Sequence, residues 1–329
     1  MTQPRTPLAS ADSDEVFSRR QALALGETTD TLRASCRSGA VVRLRRGFYV
    51  AGDIYRASGP VERHLLHAQA EVRAQDGEVA LCSVSAAALR GLELHDQDLS
   101  VVHLLRLDNG AAHRTRTVHH HRVLQPAATQ VEIKAGVRVV SEAQAVWEVA
   151  CQSSLESGVV TADSALRRGS AVRDRWIELA DRFQHVPGSH RARLALRLAR
   201  DASESAGESV TRVQCFRYGI PEPELQHKVI NQAGRLLART DFWWEEFRHV
   251  GEFDGRIKYG RLLLPAEKTE DAVVREKQRE DDVRGENCGM SRFTWSTVMP
   301  DRARRTMAEL AHALERSRRL YVVGVRRAG

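Results

Sequence analysis

Arg239-Thr240-Asp241-Phe242-Trp243-Trp244 is followed directly by Glu245-Glu246-Phe247-Arg248 and then by His249-Val250-Gly251-Glu252-Phe253-Asp254-Gly255. The outer two runs have the aromatic and β-branched character of strands, and the charged run between them reads as their turn. The stretch predicts a hairpin that brings Asp241 and Glu252 together. Side chains alternate along a strand, so Glu252 and Asp254 share a face, and a register with Asp241 opposite them would converge three carboxylates. Such a cluster repels itself unless a cation neutralises it. Hard cations take oxygen ligands, and Mg²⁺ typically uses one or two carboxylates, with waters and substrate phosphates around it.

Working outward, Ser205 or Ser209 opens a helix that carries Glu208 and runs to about Tyr218, where Gly219 stops it; Pro221 and Pro223 then force an extended connection. Residues 225–229 read as a strand carrying Gln226, and residues 232–235 as the turn into the strand at 236–243. Beyond Gly255, residues 272–285 read as a highly charged helix, 292–295 as a fourth strand and 300–319 as a basic helix. The expected order is helix, three strands, helix, strand.

Glu208, Gln226, Asp241, Glu252-Phe253-Asp254-Gly255, Lys258 and the run Glu276-Lys277-Gln278-Arg279-Glu280-Asp281-Asp282-Val283-Arg284 resemble the restriction-endonuclease-like PD-(D/E)XK superfamily, and within it the branch around the very-short-patch-repair endonucleases. The likeness covers roughly the last third of the chain. It implies an αβββαβ core in which Asp241 and Glu252 hold Mg²⁺ or Mn²⁺, with the Phe253 carbonyl as a third ligand. Glu208 would reach the same site or a second metal, and Gln226 would orient the scissile phosphate. The metal would lower the pKa of a bound water and neutralise charge developing on the phosphate. Asp254 departs from the pattern, because the resemblance implies lysine there. Lys258 or Lys277 could supply the missing ammonium, Asp254 could be a further ligand, or the site is inactive. The bland alternative pairs Asp241 and Glu252 with Arg239 and Arg256 on the surface, although exposed pairs contribute little stability.

Toward the N-terminus, Ser18 caps a short helix over residues 19–25, Gly26 ends it, and Thr28 or Thr29 caps a second helix that Gly39 stops. Residues 41–50 then alternate, with Gly47 where a hairpin turn would sit, so the segment reads as helix-turn-helix plus a wing. Arg19, Arg20, Arg33, Arg37, Arg43, Arg45 and Arg46 stand against only Glu27 and Asp30, a local balance of +5 that suits phosphate contacts. Through Arg20-Gln21-Ala22, Leu32-Arg33 and Arg45-Arg46-Gly47-Phe48-Tyr49, the segment resembles the winged-helix domain of AbiE-type antitoxins. That likeness implies DNA binding and a cognate toxin or antitoxin protein as partner. Dimerisation would suit a symmetric site, but no heptad seam argues for it.

Between these ends the pattern is mixed. A helix over 63–74, a buried strand at 79–82, a serine-capped helix at 83–89, strands at 99–107, 116–123 and 133–140, and helices at 142–151, 157–168 and 173–183 are expected. Ser83, Ser85 and His95 lack a Gly-x-Ser-x-Gly elbow, which argues against a hydrolase. Of His119-His120-His121, only His119 and His121 share a face, so the run reads as partly buried imidazoles. Arg193, Arg197 and Arg200 form a helical stripe after the turn at Pro187-Gly188.

The 329 residues, 42% hydrophobic, predict an α/β (α+β) multidomain protein: a tail at 1–15, a winged helix-turn-helix at 16–58, a mixed middle domain at 59–187 and an endonuclease-like domain at 188–329. No apolar run reaches membrane-spanning length, and residues 1–14 lack a signal-peptide core, so no membrane association and a cytoplasmic location are expected. Cys36, Cys82, Cys151, Cys215 and Cys288 are scattered, as buried thiols would be. A net charge of +7 favours a polyanionic partner. No phosphate-cradling Gly-rich loop is present. The expected activity is metal-dependent hydrolysis of DNA phosphodiesters directed by the winged helix; the alternative is a non-catalytic, antitoxin-like DNA-binding regulator. RNA stays open as a substrate.

Overall fold

The computed structural model describes residues 15–75, 78–108, 110–124, 129–169, 171–231, 233–255 and 285–323. Lys258 and the charged run 276–284, with Lys277 in it, lie outside them, as do Arg256 and nearly all of the 1–15 tail. The protein is of mixed α/β class. Among the described residues, no helix is long and apolar enough to cross a membrane.

The chain begins with β1 (Val16–Ser18), α1 (Arg19–Ala24), α2 (Thr29–Ser38), β2 (Val41–Arg45), β3 (Phe48–Ala51) and α3 (Gly52–Ala57). Ser18 caps α1, Thr28 caps α2, and Gly39 ends α2 at φ 75°, where a residue without a Cβ is least strained. β1, β3 and β2 form a three-stranded sheet in that order. Phe17, Ala22, Leu32, Val41 and Tyr49 close one side of it over the two helices. Val16, Leu44 and Val50 pack with Leu66 and Ala70 of α4 (Pro60–Arg73) on the other.

Next come β4 (Val79–Leu81), α5 (Ser83–Leu89), β5 (Val102–Arg106), β6 (His113–Arg114), β7 (Val118–Arg122), β8 (Val131–Lys134), β9 (Val137–Val140) and α6 (Glu142–Gln152). The strands form a six-stranded sheet ordered β6-β7-β5-β4-β9-β8. Two expectations are corrected here. The single strand at 133–140 is a hairpin, turned by Ala135 and Gly136, both at positive φ. Cys82, not a serine, occupies the N-cap position of α5, and the Ser83 N–H is instead satisfied by the Glu148 carboxylate of α6 at 2.7 Å.

The remainder comprises α7 (Leu155–Arg168), α8 (Ala171–Arg182), α9 (Ser189–Leu198), α10 (Ala206–Arg217), β10 (Glu224–Ile230), β11 (Leu236–Trp244), a 3-10 turn at Glu245–Phe247, β12 (His249–Phe253), β13 (Gly289–Phe293), α11 (Trp295–Val298) and α12 (Pro300–Ser317). The chain forms two compact units that interleave in sequence: residues up to 153 with 171–193, and 154–170 with 194 onward. Pro187-Gly188 therefore falls inside the first unit. α7 belongs with α10 because its Asp163, fully buried, pairs with Arg212 at 2.6 Å and accepts from Ser209 Oγ and the Arg200 N–H. Breaking a buried pair of this kind costs about 3–5 kcal/mol.

The second unit is built on a sheet ordered β10-β11-β12-β13, antiparallel except for the parallel β12-β13 pair. Val160, Val210, Phe242, Trp244, Phe253, Phe293, Met307, Leu310 and Leu314 join α7, α10, the sheet and α12 in one core. Each such side chain contributes about 1.5–3 kcal/mol on full burial. A Cβ on Gly207 would lie 2.0 Å from the Phe253 ring, so a glycine lets the first turn of α10 sit directly on β12.

Candidate active site and nucleic-acid interface

The hairpin register puts Phe242 opposite Gly251, and one further step puts Asp241 opposite Glu252. On the other side of β11, Leu225 faces Phe242 and His227 faces Thr240, so Gln226 lies opposite Asp241. Glu252 is paired with Arg292 of β13. Gln226, Asp241, Glu252 and Arg292 thus form one row across four adjacent strands. Gln226 adopts φ 56°, an uncommon conformation inside a strand, and its Nε2 donates to Glu208 Oε2 at 3.1 Å. Asp241 Oδ2 accepts the Phe253 N–H at 2.7 Å, which fixes the carboxylate across the hairpin.

Glu208, the third residue of α10, is buried at the end of this row. Its Oε1 accepts from Ser205 Oγ at 2.7 Å, and its Oε2 accepts from the Glu204 N–H at 2.8 Å as well as from Gln226. A carboxylate so engaged suits the positive end of the helix and acts as a capping group that also holds Gln226. The expected convergence of carboxylates is corrected accordingly. Among the described residues no three of Glu208, Asp241, Glu252 and Asp254 bring ligand oxygens within 4.8 Å of one another. Glu208 is retained by its cap, Asp241 by the Phe253 amide, and the Asp254 N–H extends the ladder to the Phe293 carbonyl at 2.7 Å, past the end of β12. Two facing carboxylates remain, and oxygen donors in that number still fit a hard cation such as Mg²⁺. The surface pairing of Asp241 with Arg239 does not form either, because Arg239 pairs with Glu204 at 2.8 Å.

In the first unit, Arg19, Arg33, Arg37 and Arg43 line an open depression of about 360 Å³ with Thr29, Leu32, Cys36 and Tyr49, between α2 and the β2-β3 hairpin. Arg20 and Arg46 are also exposed. Arg45 is not part of this surface; it is half-buried and ion-paired with Glu71 of α4. Arg193 and Arg200 leave the expected stripe similarly, the first donating to the Ala180 carbonyl and the second pairing with Glu222.

Ser85 hydrogen-bonds His64 Nε2 at 2.9 Å, but both residues are buried, which leaves a substrate no approach. The histidine run is more consequential. β5 pairs in parallel with β7, His103 against His119, so a residue the sequence reading passed over joins the face shared by His119 and His121. The alternating His103 and the parallel pairing of two half-buried strands were the missing signal. Burial and neighbouring imidazoles lower the pKa of all three, to about 4 for His103 and about 3 for His121.

No protein-family model matches the chain. Two Mycobacterium tuberculosis proteins are similar over 228 residues at 28% identity, spanning 69% of this chain and 78% of theirs: Uncharacterized protein MT2308 of strain CDC 1551 / Oshkosh and Uncharacterized protein Rv2248 of strain ATCC 25618 / H37Rv. Among solved structures, that of the RV2827C protein from Mycobacterium tuberculosis aligns with a TM-score of 0.38 and 15% identity, over 67% of this chain and 85% of that one.

Proposed function

We propose that the protein is a metal-dependent nuclease acting on DNA, in which residues 16–58 form a DNA-binding winged helix and the second unit carries a restriction-endonuclease-like core. The observation that carries this reading is the in-register row Gln226, Asp241, Glu252, with Gln226 anchored to Glu208. Asp241 and Glu252 would hold Mg²⁺ or Mn²⁺, which when bound supplies an activated water and neutralises phosphate charge. The chain's own residues prepare the site. The Phe253 amide orients Asp241, and Glu208 restrains the Gln226 amide so that its remaining donor can meet a phosphate oxygen. Arg292 brings a guanidinium into the same row, at a site where Asp254 stands in place of lysine. The exposed arginines of α1, α2 and the β2-β3 hairpin support phosphate contacts by the N-terminal segment.

Asp254 and the two-carboxylate geometry favour a second reading, a non-catalytic DNA-binding regulator of antitoxin type with a cognate protein partner. Cleavage of single- and double-stranded DNA by the purified full chain in Mg²⁺, Mn²⁺ or EDTA separates the two. Metal-dependent cutting that disappears in both Asp241→Ala and Glu252→Ala is expected. Binding without cutting, unchanged by either substitution, would favour the regulator.

A further inference from the structure

β5 and β7 lie side by side and parallel, with His103 opposite His119 and Leu105 opposite His121. His103 Nδ1 approaches His121 Nε2 to 3.0 Å. The ring centroids of His119 and His121 are 3.9 Å apart, those of His103 and His121 5.2 Å, and those of His103 and His119 5.6 Å. One nitrogen from each of the three lies within 4.8 Å of the other two, and among the described residues this is the one group of three or more His, Cys, Asp or Glu side chains so arranged.

From this geometry we infer a first-row divalent transition-metal site, with Zn²⁺ the best-suited ion, held by His103, His119 and His121. Three imidazoles gathered on one patch of sheet are costly to desolvate, and a His103–His121 hydrogen bond engages only one nitrogen of each of those two rings. A cation can take a lone pair from all three. Zn–N bonds of about 2.0–2.1 Å at tetrahedral angles separate the donor nitrogens by about 3.3 Å, close to the His103–His121 spacing. Neutral imidazole also selects Zn²⁺, Cu²⁺ or Ni²⁺ over Mg²⁺, whose oxygen preference suits Asp241 and Glu252 instead.

The site is placed by β-sheet register. Two donors come from one strand at i and i+2, and the third from its parallel neighbour, so small displacements suffice to close on an ion. All three side chains are partly exposed, which leaves a coordination position for water or another small ligand. His121 also borders a cavity of about 100 Å³ lined by Glu148, Cys151 and Gln152, large enough for water beside the site. The adjacent His120 points to the opposite face, where it stacks on His113 at 4.1 Å. Among the described residues that pair has no third donor in reach, and it provides an internal control.

The full-length protein, stripped with a chelator and dialysed, is titrated with Co²⁺ and Zn²⁺ while d–d absorption, heat of binding and the thermal midpoint are recorded. One equivalent at micromolar or tighter affinity is expected, with a thermal midpoint that rises with free Zn²⁺. His119→Gln and His121→Gln should each weaken binding at least about 100-fold, since loss of outer-shell partners alone costs about 10–100-fold. His113→Gln should bind as the parent does. His119 is the more exposed ligand, so His119→Gln reads the site even if His121→Gln unfolds in chelator. No stoichiometric binding, binding that survives His119→Gln, or equal loss in His113→Gln would overturn the assignment. The Asp241→Ala variant should retain this metal, so failure of the nuclease reading and failure of this site are distinguishable.

Discussion

The Gln226 side-chain amide donates to Glu208 Oε2 at 3.1 Å and so ties β10 to the first turn of α10. This contact makes the two residues a unit. Glu208 is also the acceptor for Ser205 Oγ and the Glu204 N–H, whereas Gln226 has its place in the row beside Asp241.

The two should therefore separate by assay. Glu208→Ala removes a buried capping carboxylate and should cost about 1–3 kcal/mol of stability, together with any DNA cleavage. Gln226→Ala should lower cleavage with a much smaller change in the denaturation midpoint. Urea titration beside a cleavage assay checks both; equal stability losses would mean that Gln226 serves only as a structural partner of Glu208.

Gly207→Ala should be destabilising by about 1–3 kcal/mol, because its Cβ would meet the Phe253 ring and push α10 away from β12. Phe253→Leu, which trims the ring, should recover part of that loss in the double variant. Additivity of the two substitutions would show that the contact does not limit the approach of the helix.

At the N-terminal segment, Arg33→Ala or Arg37→Ala should weaken DNA binding across sequences and reduce the salt slope by about 1 each, as expected for a lost phosphate contact. Arg45→Ala should leave the slope unchanged and lower the thermal midpoint instead, since it strips the buried Glu71 of its partner. Fluorescence anisotropy on a labelled duplex between low and moderate salt distinguishes these outcomes.

Acid should destabilise the first unit and the second alike. Burial lowers His103, His120 and His249 to about 4 and His121 to about 3. In the unfolded chain these imidazoles protonate near 6.5, so between about 6.5 and 4 the unfolded state binds more protons and stability falls as pH falls. Glu148 opposes this trend, because burial raises its carboxyl to about 7 and the folded state holds its proton more firmly. Glu148→Gln should consequently steepen the acid-side loss of the thermal midpoint. A shallower profile would contradict the upward shift that burial gives the Glu148 carboxyl.

Much of the second unit was legible because its information is local. The hairpin from Arg239 to Gly255 has two short strands and a polar turn, and a short connection restricts register to a few choices. The Asp241–Glu252 pairing followed from that economy. The cap at Ser18 was legible for the same reason, since it satisfies backbone donors within three residues of itself, and the structure selects Thr28 over Thr29 and Ser205 over Ser209.

Periodicity and capping act over one or two turns of chain, so the sequence by itself determined the main helices and strands and the facing of residues within them, but not the break of 133–140 into a hairpin. Tertiary structure decided which of those faces meet. It enclosed Glu208 in its own cap, turned Arg45 onto Glu71 and exchanged α7 into the later unit through the buried Asp163–Arg212 pair. It also set His103 beside His121, 18 residues away, through a parallel pairing that the alternation within each strand does not specify. Such contacts depend on where burial and loop closure bring distant segments together, and that balance is struck by the whole fold.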